Sequence, residues 1–339
     1  RKFKKLRDLN IDPKTSQQQG KELLKKSIQK HDDEVHTFER MVERYIVEKL
    51  EKARQPKGTR EIQRIMEKDL GNLAVVVVGD GLKTTIHNHI FEISKRSKDV
   101  ARVFRRELKC AWQYAFNTGY TNIPCPINSD IGGKLKQGQR RRVLTDDELS
   151  ELLPWMYNYS ETVRDVLTLT LYTGLRSGEV CRLRDDWLVE SVEAWSIVIP
   201  SHEMKIPHAD HVVPLVGRAL EIARKRRGSG YWFKSRTGGH IKQKVLGVEV
   251  YSHSGRSKAK TYKAQTICPV IDWSPNDLRK TARTHLAKLK CPYEIGEKIL
   301  HHKLLGVAGL YNQYNYEEER REWLTTLGDH FDRLGGAKP

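Results

Sequence analysis

The sequence predicts a mainly α-helical protein with a small antiparallel β-sheet, built in two parts. Three observations predict it. Apolar residues recur at steps of three and four through most of residues 36–117, the signature of helices packed on one face. A stretch rich in Pro, Gly and basic residues, from Pro124 to Arg142, then interrupts the pattern. Beyond it, helical stretches surround two short β-branched runs, Ser196–Ile199 and Asp210–Leu215, which read as strands of one small sheet. At 339 residues the chain is long enough for two domains.

Residues 1–33 are polar and lysine-rich, and Asp12-Pro13 breaks any continuous helix there. They read as a basic arm or linker that orders only in a complex. Residues 34–127 read as a helical domain. Its first helix carries Phe38, Met41, Val42, Tyr45, Ile46 and Leu50; further helices are expected over 59–70, 82–93 and 98–117. The last has Val100, Val103, Phe104, Leu108, Trp112 and Phe116 on one face and ends before Gly119. The opposite face carries Arg102, Arg105, Arg106 and Lys109, which are candidate DNA-binding residues. Residues 128–142 read as an extended basic linker, with Arg140, Arg141 and Arg142 as further DNA contacts. Thr145-Asp-Asp-Glu148 has the spacing of a capping box and opens a second domain, 143–339. In that domain the apolar run 163–173 is expected to be a helix ended by Gly174, with Lys205 in the turn between the two strands. A basic Gly/Ser loop is expected over 253–263, and helices over 277–289, 294–300 and 311–327.

The formal net charge is +18, and its distribution is uneven. Residues 1–142 hold 32 Lys and Arg against 18 Asp and Glu; the remainder holds 29 against 25. A strongly basic half points to a polyanion, most commonly nucleic acid. The five cysteines are widely spaced and form no Cys-x-x-Cys, which argues against a disulfide framework or a zinc ribbon and for a reducing cytoplasm. The 13 histidines show no His-Glu-x-x-His spacing, so no metal is expected. No Walker-type glycine loop is present. The longest apolar run, Leu73–Val78, is too short to span a membrane. The chain opens on Arg1 rather than Met and reads as a fragment of a longer protein.

The residues that carry chemistry lie in three short segments: Thr-Gly-Leu-Arg-Ser-Gly-Glu (173–179), Asp-Leu-Arg-Lys-Thr (277–281), and His301-His302 followed by Tyr311. Arg176 and Arg279 can hold a phosphate by paired, charge-assisted hydrogen bonds. Glu179 is placed to orient Arg176, and Asp277 is a capping acid beside Arg279. A tyrosine can attack phosphorus and hold the product covalently. Tyr314 and Tyr316 are rivals to Tyr311, with helix packing their alternative role.

In order and local wording these segments resemble the tyrosine recombinase, or phage-type integrase, family, and prophage and genomic-island integrases in particular. The resemblance is specific over about 143–330. It is less specific over 34–125, resting on helix count and basic character, and that region would correspond to the family's core-binding domain. His301-His302 and Tyr311 resemble the family's Leu-Gly-His … Tyr element, with His301 at the usual glycine position. The resemblance implies catalytic roles for Arg176, Lys205, Asn276, Arg279, His302 and Tyr311. Lys205 would protonate the leaving 5′ oxygen. Asn276 departs from the family's usual His or Lys; asparagine can donate a hydrogen bond to phosphate but cannot shuttle a proton.

The implied activity is site-specific cleavage and rejoining of duplex DNA through a 3′-phosphotyrosyl bond and a Holliday junction, for integration or excision of a mobile element, without metal or ATP. The implied partners are inverted-repeat core sites in double-stranded DNA, three further copies of the chain in a tetramer, a DNA-bending protein and an excision factor, all at the bacterial nucleoid. An N-terminal arm-binding domain would precede Arg1. Two other readings share these residues: a type IB topoisomerase-like enzyme, and a DNA-binding regulator with catalysis weakened at Asn276.

Overall fold

The computed structural model describes residues 36–54, 56–135, 141–204, 209–257, 266–303, 311–312 and 314–336. The chain divides into two compact units, Arg1–Gln139 and Arg140–Pro339. The expected arm over 1–33, Lys205, Arg140 and most of the loop over 253–263 lie outside the described residues.

The first unit is helical. Helix α1 (Phe38–Tyr45) runs on through a π-helical turn, Ile46–Leu50, and a last turn, Glu51–Ala53. It is followed by α2 (Pro56–Asp69), α3 (Lys83–Arg96) and α4 (Lys98–Asn117). The apolar stripes named above form its core, with Phe38 edge-on to Trp112 at 5.6 Å. Helix α4 begins where Ser97 accepts a hydrogen bond from the Val100 N–H, and Gly119 follows with a left-handed φ of 74°.

Its polar face is less free than the sequence suggests. Glu107 is buried, and it accepts from Tyr45 Oη at 3.1 Å and from Arg106 Nε at 2.8 Å. Arg102 pairs with Asp99 at 3.4 Å. Arg105 donates through Nη1 to the carbonyls of Ser129, Ile131 and Gly133 at 2.6, 3.0 and 3.4 Å. The first half of the expected linker therefore belongs to this unit. Ile127, Ile131 and Leu135 are buried in its core. Gly132 has φ 78°, and a Cβ there would fall 2.1 Å from Ile90 Cγ2, so only glycine fits so close to α3. Gly132, one of the glycines that suggested an extended chain, instead permits tight packing.

Near the start of the second unit, Arg142 forms a two-pronged ion pair with Glu148 and also donates to the Asp272 carbonyl at 3.2 Å. The capping box is present: Thr145 Oγ1 accepts from Glu148 N at 3.2 Å, and Glu148 accepts from Thr145 N at 3.0 Å. Helices α5 (Asp146–Trp155), α6 (Glu161–Thr173) and the short α7 (Ser177–Val180) lead to the sheet. Strands β1 (Leu188–Glu190), β2 (Trp195–Ile199) and β3 (His211–Leu215) form an antiparallel sheet in sequence order, with Trp195 opposite Leu215 and Ile199 opposite His211. Helices α8 (Gly217–Arg226), α9 (Gln243–Ser252), α10 (Pro275–Lys288), α11 (Tyr293–Ile299) and α12 (Glu317–Leu334) complete the unit.

Three differences from the sequence reading have physical causes. Strand β1 has three residues and exposes Val189 and Glu190, so it shows no alternation. Helices α8 and α9 were not anticipated, being short and flanked by Gly and basic residues. The last helix starts at Glu317, not at 311, because Tyr316 has a left-handed φ of 51° that stops helical propagation. Tyr311 thus lies ahead of α12. No helix among the described residues is long and apolar enough to cross a membrane.

Candidate active site

The site is assembled from helix ends. Helix α6 stops at Gly174, whose φ is 69°; a Cβ there would meet Leu300 Cδ2 at 2.9 Å. This glycine lets the end of α6 approach the end of α11. Arg279, on the second turn of α10, bridges the two ends. Its Nη1 donates to the Gly174 carbonyl and its Nη2 to the Leu300 carbonyl, each at 2.7 Å. Both are carbonyls at helix ends, where a cation is favoured. Helix α10 is started by Ser274, Pro275 and the buried Asp277, which accepts from Ser274 N at 3.0 Å and Ser274 Oγ at 2.8 Å. Asp277 is thus a capping acid that places Arg279 rather than pairing with it.

Arg176 precedes α7. Its Nη1 donates to Glu179 at 2.7 Å, and its backbone N–H donates to the same carboxylate at 3.0 Å. Glu179 is buried while the Arg176 side chain keeps 34% of its surface exposed, so the carboxylate holds the guanidinium from behind. Burial, and then the neighbouring Arg176 charge, lowers the Arg279 guanidinium to about 10. It stays cationic at neutral pH, and the pair forms a concentrated positive spot in which Glu179 engages Arg176 through Nη1.

His302 completes the cluster. Its Nε2 lies 3.0 Å from Arg279 Nη2 and its Nδ1 lies 2.7 Å from Glu297. Since arginine can only donate, Nε2 accepts, and Nδ1 carries the proton given to Glu297. Glu297 is itself held by Arg283 at 2.8 Å. Burial opposes its charge, but the hydrogen bonds from Arg283 and His302 outweigh it, and its carboxyl lies below the ordinary range.

Asn276 is fixed by two neighbours. Its Oδ1 accepts from Ser177 Oγ at 3.0 Å and from Gln243 Nε2 at 3.1 Å. With the oxygen engaged, the Nδ2 amide is the group left to donate outward. His301 has a left-handed φ of 52°, the backbone state that suits glycine at this position. It stacks on His211 at 4.5 Å, and its Nε2 is 3.1 Å from the Ala209 carbonyl. That contact ties the end of the β2–β3 connection, the segment that carries Lys205, to the turn holding His302.

Tyr311 is 77% exposed and makes no hydrogen bond among the described residues. Tyr316 accepts from Asn312 at 2.8 Å and packs on the domain core, and Tyr314 lies edge-on to it at 4.8 Å. The structure therefore brings Arg176, Asn276, Arg279 and His302 together and leaves Tyr311 outside that network. Sequence reading missed Glu297 and Gln243, which position His302 and Asn276. Glu297 precedes His302 by five residues, a spacing with no motif value; Gln243 is on an unanticipated helix.

A match to the family model "Phage integrase family" covers residues 142–318, which include all of these positions. The chain belongs to the phage integrase family. It is a tyrosine recombinase, an enzyme class that the mixed second unit and the helical first unit both fit. Among solved structures, the Tn1549 transposon integrase in complex with circular intermediate DNA is 14% identical, with a TM-score of 0.59, covering 85% of this chain and 98% of that one. A lambda integrase dimer bound to a core site is 15% identical, with a TM-score of 0.60, covering 78% and 94%. A lambda integrase tetramer bound to a Holliday junction is 14% identical, with a TM-score of 0.63, covering 84% and 79%. At these identities the likeness speaks for the fold of this integrase-family chain. No curated protein sequence is significantly similar to it.

Proposed function

We propose that this recombinase cleaves and rejoins duplex DNA with Tyr311 as nucleophile, inserting or excising a mobile element. The observation that carries the reading is the Arg176–Arg279–His302 cluster, two guanidiniums and an imidazole acceptor converging on one spot. The Tyr311 oxygen attacks phosphorus and its proton leaves to His302 Nε2, whose lone pair is released as Arg279 Nη2 turns from it to the phosphate. A P–O(Tyr) bond forms as the bond to the 5′ oxygen breaks, and Lys205 gives that oxygen a proton. The two arginines and the Asn276 amide stabilise charge on the non-bridging oxygens in the five-coordinate transition state. In the reverse sense a 5′ hydroxyl from another duplex displaces Tyr311, so phosphodiester energy is conserved and neither ATP nor metal is consumed.

Asn276 serves this scheme as a donor, since its oxygen is occupied and its Nδ2 makes no hydrogen bond among the described residues. Tyr311 must come up to the arginines when DNA binds. The DNA-bound relatives support duplex core sites as substrate and four copies on a Holliday junction as the working assembly. Arg141 and Lys109, both exposed, are the basic candidates most available to phosphates. Accessory bending and excision proteins belong to the same reading.

The test is a suicide substrate nicked near the cleavage point, taken from the ends of the encoding element. Wild type should give a covalent adduct on a denaturing gel, and Tyr311→Phe should bind DNA and give none. An adduct with Tyr311→Phe would remove Tyr311 as nucleophile. Binding by wild type without an adduct would favour a DNA-binding regulator.

A further inference from the structure

A second cluster lies away from the arginines, where the start of α5, the late part of α10 and the last turns of α12 meet. Asp146, His285 and His330 each turn one ligand-type atom toward a common point. His285 Nδ1 lies 3.2 Å from His330 Nε2, and Asp146 Oδ1 lies 3.4 and 3.5 Å from the same two nitrogens. Metal–ligand bonds of about 2.0–2.1 Å at tetrahedral angles require ligand atoms about 3.3–3.4 Å apart. The three measured separations bracket that value.

Two further observations point the same way. His285 is buried, and its Nε2 is 3.0 Å from the Leu144 carbonyl. A carbonyl can only accept, so Nε2 carries the hydrogen and the Nδ1 lone pair faces the cluster. This backbone anchoring of the far nitrogen is the usual support of a metal-binding histidine. Asp146 Oδ1 is buried and makes no hydrogen bond among the described residues. Its other oxygen is paired with Lys288, the one charged group besides the two histidines that pairs with it among the described residues. Lys288 is largely exposed, so it can stay on Oδ2 or withdraw to solvent.

We propose that Asp146, His285 and His330 bind one zinc ion, with water in the fourth position, clasping the C-terminal helix α12 to the start of α5 and to α10. Imidazole nitrogens and a carboxylate oxygen suit zinc, and the two-nitrogen, one-oxygen set needs no thiolate. The site lies outside the DNA-cleaving cluster, and its role is to hold α12 in place. Such a clasp escapes sequence inspection because its members come from three separated helices.

The test uses the full chain stripped of metal and titrated with Co(II), then with Zn(II). One Co(II) per chain should bind with the visible d–d absorption of a tetrahedral site and no thiolate charge-transfer band. Zn(II) should displace it and raise the melting temperature. His330→Gln and Asp146→Asn should each weaken binding by more than about tenfold to a hundredfold, the loss that follows removal of a mere outer-shell partner. Absence of a tetrahedral spectrum, a thiolate band, or equal affinity in Asp146→Asn would overturn the proposal. Should His330→Gln unfold, the wild-type spectrum and Asp146→Asn still decide it.

Discussion

Two groups of arginines in this chain look alike in sequence and differ in what they have left to give. On α4, Arg105 spends one nitrogen on three backbone carbonyls and Arg106 turns toward the buried Glu107. Just past the end of α6, Arg176 is paired with the carboxylate of Glu179 through Nη1 and keeps a third of its side chain exposed, while Arg279 is squeezed by burial and by its neighbour's charge. The first group closes a fold. The second is a cation pair in need of an anion. Clustered basic residues in a sequence therefore do not by themselves mark a binding face; the donors remaining after folding do.

The largest effect should come from breaking the second group. Arg176→Ala or Arg279→Ala should lower the rate of covalent adduct formation by about 10²–10³, the scale of losing one oxyanion-type donor. Duplex binding in a gel shift should change far less. A cleavage rate within a few-fold of wild type would rule out the phosphate clamp. Arg279 carries a second consequence. A base whose folded pKa is depressed opposes folding while it is protonated, so this buried charge destabilises the free protein at all working pH. Sulfate or phosphate should raise the melting temperature by relieving it, and Arg176→Ala should blunt that rise.

Next in size is the fold-closing group. Arg105→Met keeps the apolar stem and removes the donors, so it should cost about 1–3 kcal/mol in the first unit, the penalty for unsatisfied carbonyls. Cleavage by the folded fraction should be unchanged. The salt dependence of DNA binding sharpens the contrast. The exposed Lys109 changed to Ala should lower the slope of log K against log salt by about 0.9 if it meets one phosphate. Arg105→Met should leave that slope alone, and an equal drop would return Arg105 to the DNA-binding face.

Most of the fold could be read from the chain because its helices are amphipathic and sharply ended. Helix α4 ends before Gly119 as expected, and Thr145 with Glu148 opens α5. What escaped had no local signal. Strand β1 is too short to alternate, and Gly132 looks like a linker glycine until Ile90 is seen against it. At the site, Arg176, Arg279 and His302 were visible as residue types in order, whereas Glu297 and Gln243 act only through geometry. Asn276, an anomaly in sequence, has its oxygen held by Ser177 and Gln243, which no local motif announces.

A smaller effect is expected from Glu297, which positions His302. Glu297→Gln should slow adduct formation by about tenfold, the low end for a hydrogen bond to a charged acceptor, because Gln keeps a weaker, neutral acceptor for Nδ1–H. A stability readout separates this from a general packing defect. The folded Glu297 carboxyl lies below its ordinary value of 4.5. Its contribution is therefore present above pH 4.5 and lost as pH falls through the lower folded value. Wild type should lose that increment on acidification, and Glu297→Gln should lack it. Identical acid profiles would mean that Glu297 is not held as its hydrogen bonds imply.

The smallest effect tests the turn that carries His302. His301 has φ 52°, a state that costs a non-glycine residue about 1–2 kcal/mol. It also stacks on the buried His211 and contacts the Ala209 carbonyl. Those contacts offset the strain in part, with an aromatic pair contributing about 0.5–1.5 kcal/mol. His301→Gly removes both, and its greater freedom in the unfolded chain costs a further fraction of a kcal/mol. The net change in unfolding free energy should stay within about 1 kcal/mol. Cleavage should respond differently, because the Ala209 contact anchors the strand connection that bears Lys205. A stable His301→Gly protein with a slower leaving-group step, rescued by a substrate whose 5′ oxygen is replaced by a better leaving sulfur, would place His301 in the positioning of that lysine. Unchanged cleavage on both substrates would leave the stack on His211 as a packing contact only.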